Sequence, residues 1–273
     1  MATATQQKAS LKRVIEDYNL TSFAVEFPFS ESELPYHQML VDLGLKYLPE
    51  DGPSTVLDIG TGRGICPRFF ASRGIRSITL DFPTTGGNDA LQSAACAGIE
   101  THECDCSKGQ FPVESNSVNC VYLSDVIEHL PHSPKAILNE IYRVLRLGGV
   151  CITSTPNAVR LTVRLKMLLG SSNWPRVGDY YDKAFHGGHH HEYTESELRY
   201  VHERSGFHIA EVRRMELNAL HAPVGSLADL QSGMRSHSGN GKALRFGFAR
   251  KFIYAATQAA PGLKGQMVLV AQK

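Results

Sequence analysis

The chain has 273 residues, with 28 basic and 27 acidic side chains, so its formal net charge at neutral pH is +1. This length is enough to bury a sizeable core in one large domain or two small ones. The sequence lacks the run of about 18 apolar residues that a membrane-spanning helix needs, and its polar start lacks a signal peptide's apolar region. Six cysteines in such a chain do not indicate a disulfide framework, so we expect a reduced, cytoplasmic protein.

The balanced total charge hides a basic C-terminal segment. Residues 230–273 contain seven basic residues and no acidic one. Such a segment can attract an anionic substrate or a phosphate backbone, or it can be an ordinary solvated helix face. The small net charge and the lack of an added RNA-binding module speak against nucleic acid as a partner, and they favour a small-molecule substrate. The sequence is compatible with a homodimer.

The first 50 residues form a predicted helical cap. Apolar residues recur at helical spacing in two segments, Leu11–Tyr18 and Met39–Tyr47, with a connector at Phe23–Ser30 between them. The breaker cluster Pro49–Pro53 then ends the cap. Residues 51–273 are predicted to form the remaining domain.

Strands alternate with helices from residue 51 onwards. The predicted strands are Thr55–Ile59, Ser77–Leu80, Ile99–Glu103, Val118–Leu123, Val150–Ser154, Phe207–Met215 and Gly265–Ala271. The predicted helices are Ile65–Ser72, Asp89–Ala97, one from Ser133-Pro134 to Gly148-Gly149, one near Leu161–Leu168, and one from the capping box Thr194–Glu197 to Gly206. This order predicts a doubly wound, Rossmann-like α/β fold with a mostly parallel sheet. We expect the insertions at 156–193 and 217–263, the second with a helix near 242–257, to be substrate lids.

A glycine-rich loop follows the first predicted strand. It reads Gly60, Thr61, Gly62, Arg63 and Gly64. Glycine permits a tight turn and lets a ligand approach the backbone closely. The spacing differs from the dinucleotide fingerprint, which needs glycine or alanine where Ile65 stands, so a nicotinamide-dependent oxidoreductase is disfavoured. Asp58, before the loop, would repel a phosphate but could orient a zwitterionic amino-acid group.

Acidic residues also follow the second and third predicted strands. Asp81 comes 21 residues after Gly60, where a carboxylate can accept hydrogen bonds from a ribose diol. Asp105 is placed to accept a hydrogen bond from an adenine amino group. Each acid alone could be a solvated strand end, but together with the loop they indicate a nucleoside-containing ligand.

These motifs make the chain resemble the class I S-adenosylmethionine-dependent methyltransferases, most closely the subgroup of quinone-biosynthesis methyltransferases. The matching segments are Val56–Gly64, Leu80-Asp81, Cys104–Cys106, Leu123–Leu130, Tyr142–Gly149 and Thr155–Asn157. The resemblance implies the strand order 3-2-1-4-5-7-6 with the last strand antiparallel. It implies that the glycine loop holds the methionine part of the cofactor, Asp81 the ribose, and Asp105 with the Cys106 backbone the adenine. Asp58, Phe82 and Ser124 complete the predicted cofactor-binding residues.

A cluster of titratable residues after the fourth strand could carry chemistry. If Asp125–Leu130 is one helical turn, then Asp125, Glu128 and His129 point the same way. Two carboxylates and an imidazole on one face suit a divalent metal such as Mg²⁺ or Mn²⁺. The resemblance points to the same motif, because quinone-pathway O-methyltransferases and small-RNA 2′-O-methyltransferases bind a metal there. In the alternative, Glu128 and His129 only cap and pack the loop beneath the cofactor.

The segment Gly188–Thr194 resembles a Gly-His-x-Arg-Glu-Tyr-Thr segment of bacterial relatives, which singles out His189. A neutral imidazole there could accept the substrate's proton, complete a metal site, or only hydrogen-bond the lid. We therefore expect His189 and His129 as catalytic residues, and Asp125, Glu128, His129 and His189 as metal ligands.

The expected function is methylation of a small-molecule hydroxyl or carboxyl oxygen. Methyl transfer from a sulfonium is an in-line displacement, so the protein mainly positions the acceptor and removes its proton. Methylation of nitrogen or carbon, RNA methylation and a non-catalytic cofactor-binding protein remain as alternatives. The Asn/Asp-Pro-Pro-Tyr motif of many N-methylating enzymes is absent, since Leu123-Ser-Asp125 stands there.

Overall fold

The structure is a computed structural model that describes residues 4–83, 89–170, 181, 188–216, 255–257 and 259–273. Within these ranges the α-helices are α1 (Ala4–Asn19), α2 (Phe23–Glu26), α3 (Leu34–Tyr47), α4 (Ile65–Ala71), α5 (Asp89–Cys96), α6 (Lys135–Val144), α7 (Leu161–Leu168) and α8 (Glu195–Arg204). The strands are β1 (Thr55–Ile59), β2 (Arg76–Asp81), β3 (Glu100–Glu103), β4 (Val118–Ser124), β5 (Leu145–Pro156), β6 (His208–Met215) and β7 (Gln266–Gln272). The predicted helix near 242–257 lies outside the described residues except for its end.

The strands form a seven-stranded sheet in the order β3-β2-β1-β4-β5-β7-β6. The first five strands in this spatial order, from β3 to β5, are parallel to their neighbours. The strand β7 runs antiparallel to both β5 and β6. Both the predicted doubly wound α/β fold and the strand order implied by the resemblance are confirmed. The reversal of order between β1 and β4 opens a crevice at the carboxyl ends of these strands, which is where ligands bind in such sheets.

Apolar side chains cover both faces of the sheet. On one face, Leu57 and Leu123 pack in a buried cluster with Ile141 of α6 and Leu198 of α8. On the other face lies a second buried cluster, to which α1, α3 and α4 contribute. Successive strand residues point to opposite faces, and so the near-continuous apolar strands of the sequence belong to a sheet that is buried on both sides.

The cap is held on the second face by both apolar and polar contacts. Tyr18 of α1 and Leu40 of α3 are almost fully buried there. The hydroxyl of Tyr122 in β4 donates to the backbone oxygen of Leu40 at 2.9 Å. The cap therefore packs directly over the central strands, and α3 reaches their carboxyl ends.

Some predicted boundaries are wrong. The helix that we expected to end at Gly148-Gly149 ends at Val144, and β5 begins at Leu145. Leu145 pairs with Val118 before an irregularity shifts the register, so the two glycines lie inside the strand. The predicted connector at Phe23–Ser30 contains the short helix α2. The capping box is confirmed, with Thr194 and Glu197 each accepting a hydrogen bond from the other's backbone.

The described helices include none that is long and apolar enough to cross a membrane. The six cysteines are all free thiols.

Candidate functional site

A cavity of about 640 Å³ lies where the carboxyl ends of β1, β2 and β4 meet the cap. Most of the predicted cofactor-binding residues line it, namely Asp58, Gly60, Thr61, Gly62, Gly64, Asp81 and Ser124. The cap contributes further walls through α2 and α3. The structure thus brings the glycine loop and two of the predicted acids to one cavity.

The first glycine of the loop is required by close packing. Gly60 has φ of +78°, and a Cβ built there would lie 2.5 Å from Cγ2 of Val126. A side chain at this position would therefore be strained and would also collide with the segment after β4. The loop turns tightly over the end of β1 and leaves the space above it open.

Asp81 is held in a fixed orientation at the end of β2. Its Oδ2 accepts a hydrogen bond from the backbone N–H of Thr61 at 3.1 Å, and its Oδ1 accepts one from the N–H of Phe82 at 2.7 Å. Each carboxylate oxygen can accept further hydrogen bonds, so the group can receive the two hydroxyls of a ribose. The side chain of Phe82 is 56% exposed and does not line the cavity.

Asp58 is a buried carboxyl group next to the loop. Burial, and then the charge of Asp81, raise the pKa of Asp58 well above its ordinary value. An ammonium group in the cavity would offset both effects, because an opposite charge favours the ionised carboxylate. The site can therefore take a ligand that carries a cationic amino group.

Asp105 and Cys106 lie outside the cavity walls. Oδ1 of Asp105 accepts a hydrogen bond from the hydroxyl of Ser107 at 2.6 Å, and its Oδ2 lies 2.9 Å from the ammonium of Lys108. Hydrogen bonding by Ser107 is the main cause that lowers the pKa of Asp105. This carboxylate caps the turn after β3, and its predicted role in adenine binding stays a prediction.

The expected common face of Asp125, Glu128 and His129 is wrong. The helical turn is a short 3₁₀ segment, Ile127–His129, and Asp125 precedes it with φ of +54°. Oδ2 of Asp125 accepts from the hydroxyl of Tyr36 at 2.9 Å, and its Oδ1 accepts from Nε2 of Gln266 at 2.5 Å. Asp125 therefore lines the cavity and contacts the cap, and it is not part of the cluster that Glu128 and His129 form with His189.

Glu128, His129 and His189 come together instead. One potential ligand atom from each residue lies within 4.8 Å of the others. The rings of His129 and His189 meet edge to face, with centroids 4.8 Å apart. The backbone N–H of His190 donates to the backbone oxygen of Glu128 at 2.7 Å. This hydrogen bond ties the segment that contains His189 to the turn after β4. Residues distant in sequence thus form one cluster.

One oxygen of the Glu128 carboxyl group accepts a hydrogen bond, and the other has no partner among the described residues. Oε2 accepts a hydrogen bond from the hydroxyl of Thr155 at 3.0 Å, whereas Oε1 is buried with no hydrogen-bond partner among the described residues. Burial, and then the charge of Asp125, raise the pKa of Glu128. A metal ion or a ligand hydroxyl would satisfy Oε1, since an unpartnered buried oxygen costs free energy.

Glu192 and Arg160 support His189, and neither residue was predicted from the sequence to belong to the site. Nδ1 of His189 lies 2.9 Å from Oε1 of Glu192. Arg160 donates from both terminal nitrogens to the Glu192 carboxylate, at 2.6 and 3.2 Å. The hydrogen bond to Glu192 is the main cause that raises the pKa of His189. Glu192 stands inside the segment that resembles the bacterial relatives, and that was the available signal.

Comparisons with known proteins identify the family of the chain. A family model described as "Methyltransferase domain" matches residues 36–212. The ubiquinone biosynthesis O-methyltransferase of Psychrobacter arcticus is 30% identical over 128 residues, which are 44% of this chain and 46% of that protein. The ubiquinone/menaquinone biosynthesis C-methyltransferase of Desulfotalea psychrophila is 31% identical over 113 residues, which are 40% of this chain and 45% of that protein. The chain thus spans less than half of each of these relatives.

A solved structure shares the fold. The S-adenosylmethionine-dependent methyltransferase from Archaeoglobus fulgidus superimposes with a TM-score of 0.56 at 19% identity, and the match covers 92% of this chain and 98% of that one. The family model covers more than half of the chain, and the cavity carries the glycine loop and acids expected for the methyl donor. The chain therefore belongs to the methyltransferase-domain family.

Proposed function

We propose that the protein transfers a methyl group from S-adenosylmethionine to an oxygen of a small-molecule hydroxyl or carboxyl acceptor. The observation that carries this proposal is the cluster of Glu128, His129 and His189, which lies at the same strand ends as the cofactor cavity. Similarity to a quinone-pathway O-methyltransferase supports a small-molecule acceptor.

The donor side is assigned to the cavity residues. Asp81 accepts hydrogen bonds from the ribose, Asp58 faces the amino group, and the glycine loop leaves room for the methionine part. Ser124 lies at the end of β4, where its buried hydroxyl has no partner among the described residues. Bound S-adenosylmethionine supplies an electrophilic methyl group. We keep Asp105, Cys106 and Phe82 as proposed neighbours of the adenosine.

The acceptor side is assigned to His189 and its neighbours. Glu192 accepts the Nδ1 proton, which leaves Nε2 of His189 free to take the proton of an acceptor hydroxyl. A positioned base of this kind typically accelerates a reaction about 10²–10⁴-fold. His129 packs its ring against His189 and limits the orientations that this base can adopt.

A divalent metal is the alternative way to activate the acceptor. Glu128, His129 and His189 offer one oxygen and two nitrogen donors, a mixed set that suits Mg²⁺ poorly and Mn²⁺ better. Such an ion would lower the pKa of a bound hydroxyl. The unpartnered Oε1 of Glu128 fits this role, while Asp125 is not part of the described cluster. The metal-free and metal-dependent versions therefore share His189 but differ in the role of Glu128.

Methylation of carbon or nitrogen is the second candidate. The similarity to a quinone-pathway C-methyltransferase favours carbon specifically. RNA methylation has less support, because the formal net charge of the chain is only +1 despite the basic residues between 235 and 251. An anionic small molecule is the acceptor that those residues would attract.

Activity with and without a chelator separates the two versions of the mechanism. The wild-type protein is incubated with labelled S-adenosylmethionine and a small-molecule extract, and methylated products are identified by mass spectrometry. In the metal-dependent version, chelation abolishes turnover, leaves S-adenosylhomocysteine binding intact, and is reversed by Mn²⁺ or Mg²⁺. In the metal-free version, chelation has no effect. A product methylated on carbon or nitrogen would contradict the proposed O-methylation.

A further inference from the structure

The turn after β3 carries two cysteine side chains that the proposed mechanism does not use. Cys104 and Cys106 flank Asp105, and both are free, half-buried thiols. Asp105 has φ of −75° and ψ of +85°, and the backbone N–H of Cys106 donates to the backbone oxygen of Cys104 at 3.0 Å. These values are typical of an inverse γ-turn, which reverses the chain within three residues. The turn therefore brings the two cysteines close together.

The geometry of this turn suits a disulfide. Consecutive Cα atoms lie about 3.8 Å apart, so a γ-turn leaves its first and third Cα atoms roughly 5.5 Å apart. Disulfides span Cα separations of about 4.4–6.8 Å. Burial raises the pKa of both thiols, and a hydrogen bond between the two side chains opposes this rise at Cys104 and adds to it at Cys106. The two thiols are thus already in contact.

The same turn is joined to the end of β2, where Asp81 lines the cofactor cavity. The backbone N–H of Cys104 donates to the backbone oxygen of Asp81 at 2.7 Å. Burial is the main cause that raises the pKa of Cys106, and the charge of Asp81 adds to the rise. A change in the turn therefore reaches the residue whose carboxylate we assign to the ribose.

We propose that Cys104 and Cys106 are a modification site, where a small-molecule disulfide such as oxidised glutathione converts the two thiols into a reversible intrachain disulfide. The disulfide closes a ring around Asp105, locks the turn and weakens binding of the methyl donor beside it. The effect on the donor rests on the assignment of S-adenosylmethionine to the cavity, whereas formation of the disulfide does not.

Two exchange steps give this product. The deprotonated Cys104 sulfur attacks one sulfur of the small disulfide, whose S–S bond breaks, and the released half takes up the proton as a thiol. The Cys106 sulfur then attacks the Cys104 sulfur, and the second half leaves as a thiol with the proton of Cys106. Two protein thiols are oxidised and one small disulfide is reduced to two thiols, so atoms and electrons balance.

Burial affects the rate and the equilibrium of this reaction differently. Because burial keeps both thiols protonated near neutral pH, the first step is slow there and becomes faster as the pH rises. The disulfides that are reduced most easily are those whose reduced form the protein stabilises, and burial stabilises neither thiolate here. The pair therefore stays oxidised once the disulfide has formed, until a reductant such as dithiothreitol is added.

The test treats the protein with oxidised glutathione and measures its intact mass. The starting protein is Cys96→Ser, which lacks the exposed cysteine of α5. We expect a product that is lighter by two hydrogens and carries no glutathione, and peptide mapping should place the disulfide between Cys104 and Cys106. Cys104→Ser, added to Cys96→Ser, should prevent this product, and Cys104→Ala makes the same comparison if the serine variant does not fold. A stable glutathione adduct, or no reaction at alkaline pH, would overturn the proposal.

Calorimetry then measures the effect on the donor site. Oxidised Cys96→Ser should bind S-adenosylhomocysteine about 10-fold more weakly than the reduced protein, and dithiothreitol should restore the affinity. By the same linkage, bound S-adenosylhomocysteine should suppress disulfide formation. The matched control is Cys96→Ser with Cys104→Ser, whose affinity should be the same before and after treatment. A disulfide that leaves the affinity unchanged would overturn the proposed effect, and reduced protein that does not bind S-adenosylhomocysteine would instead contradict the cofactor assignment.

Discussion

Oε1 of Glu192 lies 2.9 Å from Nδ1 of His189, and this contact decides which nitrogen of His189 is available. Burial alone would raise the pKa of Glu192, but the hydrogen bonds from His189 and Arg160 lower it to about 2. The carboxylate is therefore ionised and accepts the Nδ1 proton. Nε2 is left for the acceptor or for a metal, in the arrangement that supporting carboxylates commonly impose on functional histidines.

The first prediction concerns this support. Glu192→Gln removes the charge but keeps the size of the side chain, so His189 loses its preferred tautomer and orientation. We expect turnover to fall about 10- to 100-fold, the usual range for such supporting residues, with S-adenosylhomocysteine affinity unchanged. Steady-state kinetics and calorimetry measure the two quantities. Glu203→Gln, on the exposed face of α8, is the control, and wild-type turnover in Glu192→Gln would remove Glu192 from the mechanism.

The second prediction concerns the cofactor. Asp81→Ala should weaken binding of S-adenosylmethionine by about 1–3 kcal/mol, because a charge-assisted pair of hydrogen bonds to the ribose is lost. Titration calorimetry on the folded variant measures this change, with Asp51→Ala, at an exposed loop position, as the control. If the affinity of Asp81→Ala equals that of the wild type, the ribose is bound elsewhere.

The third prediction concerns a buried histidine outside the site. Nδ1 of His202 donates to the backbone oxygen of Leu198 at 2.8 Å, and Nε2 lies 2.9 Å from the hydroxyl of Thr153. Burial lowers the pKa of His202 to about 4. Between the ordinary pKa of about 6.5 and this value, only the unfolded chain binds the proton, so stability falls as the pH falls through this window.

Denaturant unfolding at about pH 7 and about pH 4.5 measures the contribution of His202, which should be on the order of 2–3 kcal/mol. From about pH 7 to about pH 4.5, the free energy of unfolding of His202→Gln should therefore fall by about 2–3 kcal/mol less than that of the wild type. The comparison between proteins cancels the carboxyl groups whose pKa values are raised. His208→Gln, with an exposed side chain, should behave as the wild type, and an unchanged pH slope in His202→Gln would disprove the prediction.

Much of the fold was predictable because local signals agreed with the tertiary structure. The apolar alternation of strands and helices indicated the α/β class, and the motif resemblance implied the strand order. The boundary between α6 and β5 was not predictable, since the two glycines looked like a helix end. Only pairing of Leu145 with Val118 shows that the chain is already extended there.

The site was predictable where it depends on one short segment. The glycine loop follows β1, and Asp58 and Asp81 lie near the carboxyl ends of β1 and β2, so parallel packing brings them together. Asp125 was misplaced because helical spacing assumes a helix, and its backbone is left-handed. Glu192 stands inside the segment that resembles bacterial relatives, but its role follows from contacts with His189 and Arg160 that only folding creates.

Transfer of a labelled methyl group by the wild type and by His189→Ala tests the central claim most directly. Both proteins are given S-adenosylmethionine with an isotopically labelled methyl group and the same small-molecule extract, and products are analysed by mass spectrometry. We predict a labelled O-methyl product with the wild type and a turnover about 10²–10⁴-fold lower with His189→Ala, at equal S-adenosylhomocysteine affinity. Full activity of His189→Ala would contradict both the base and the metal version of the mechanism.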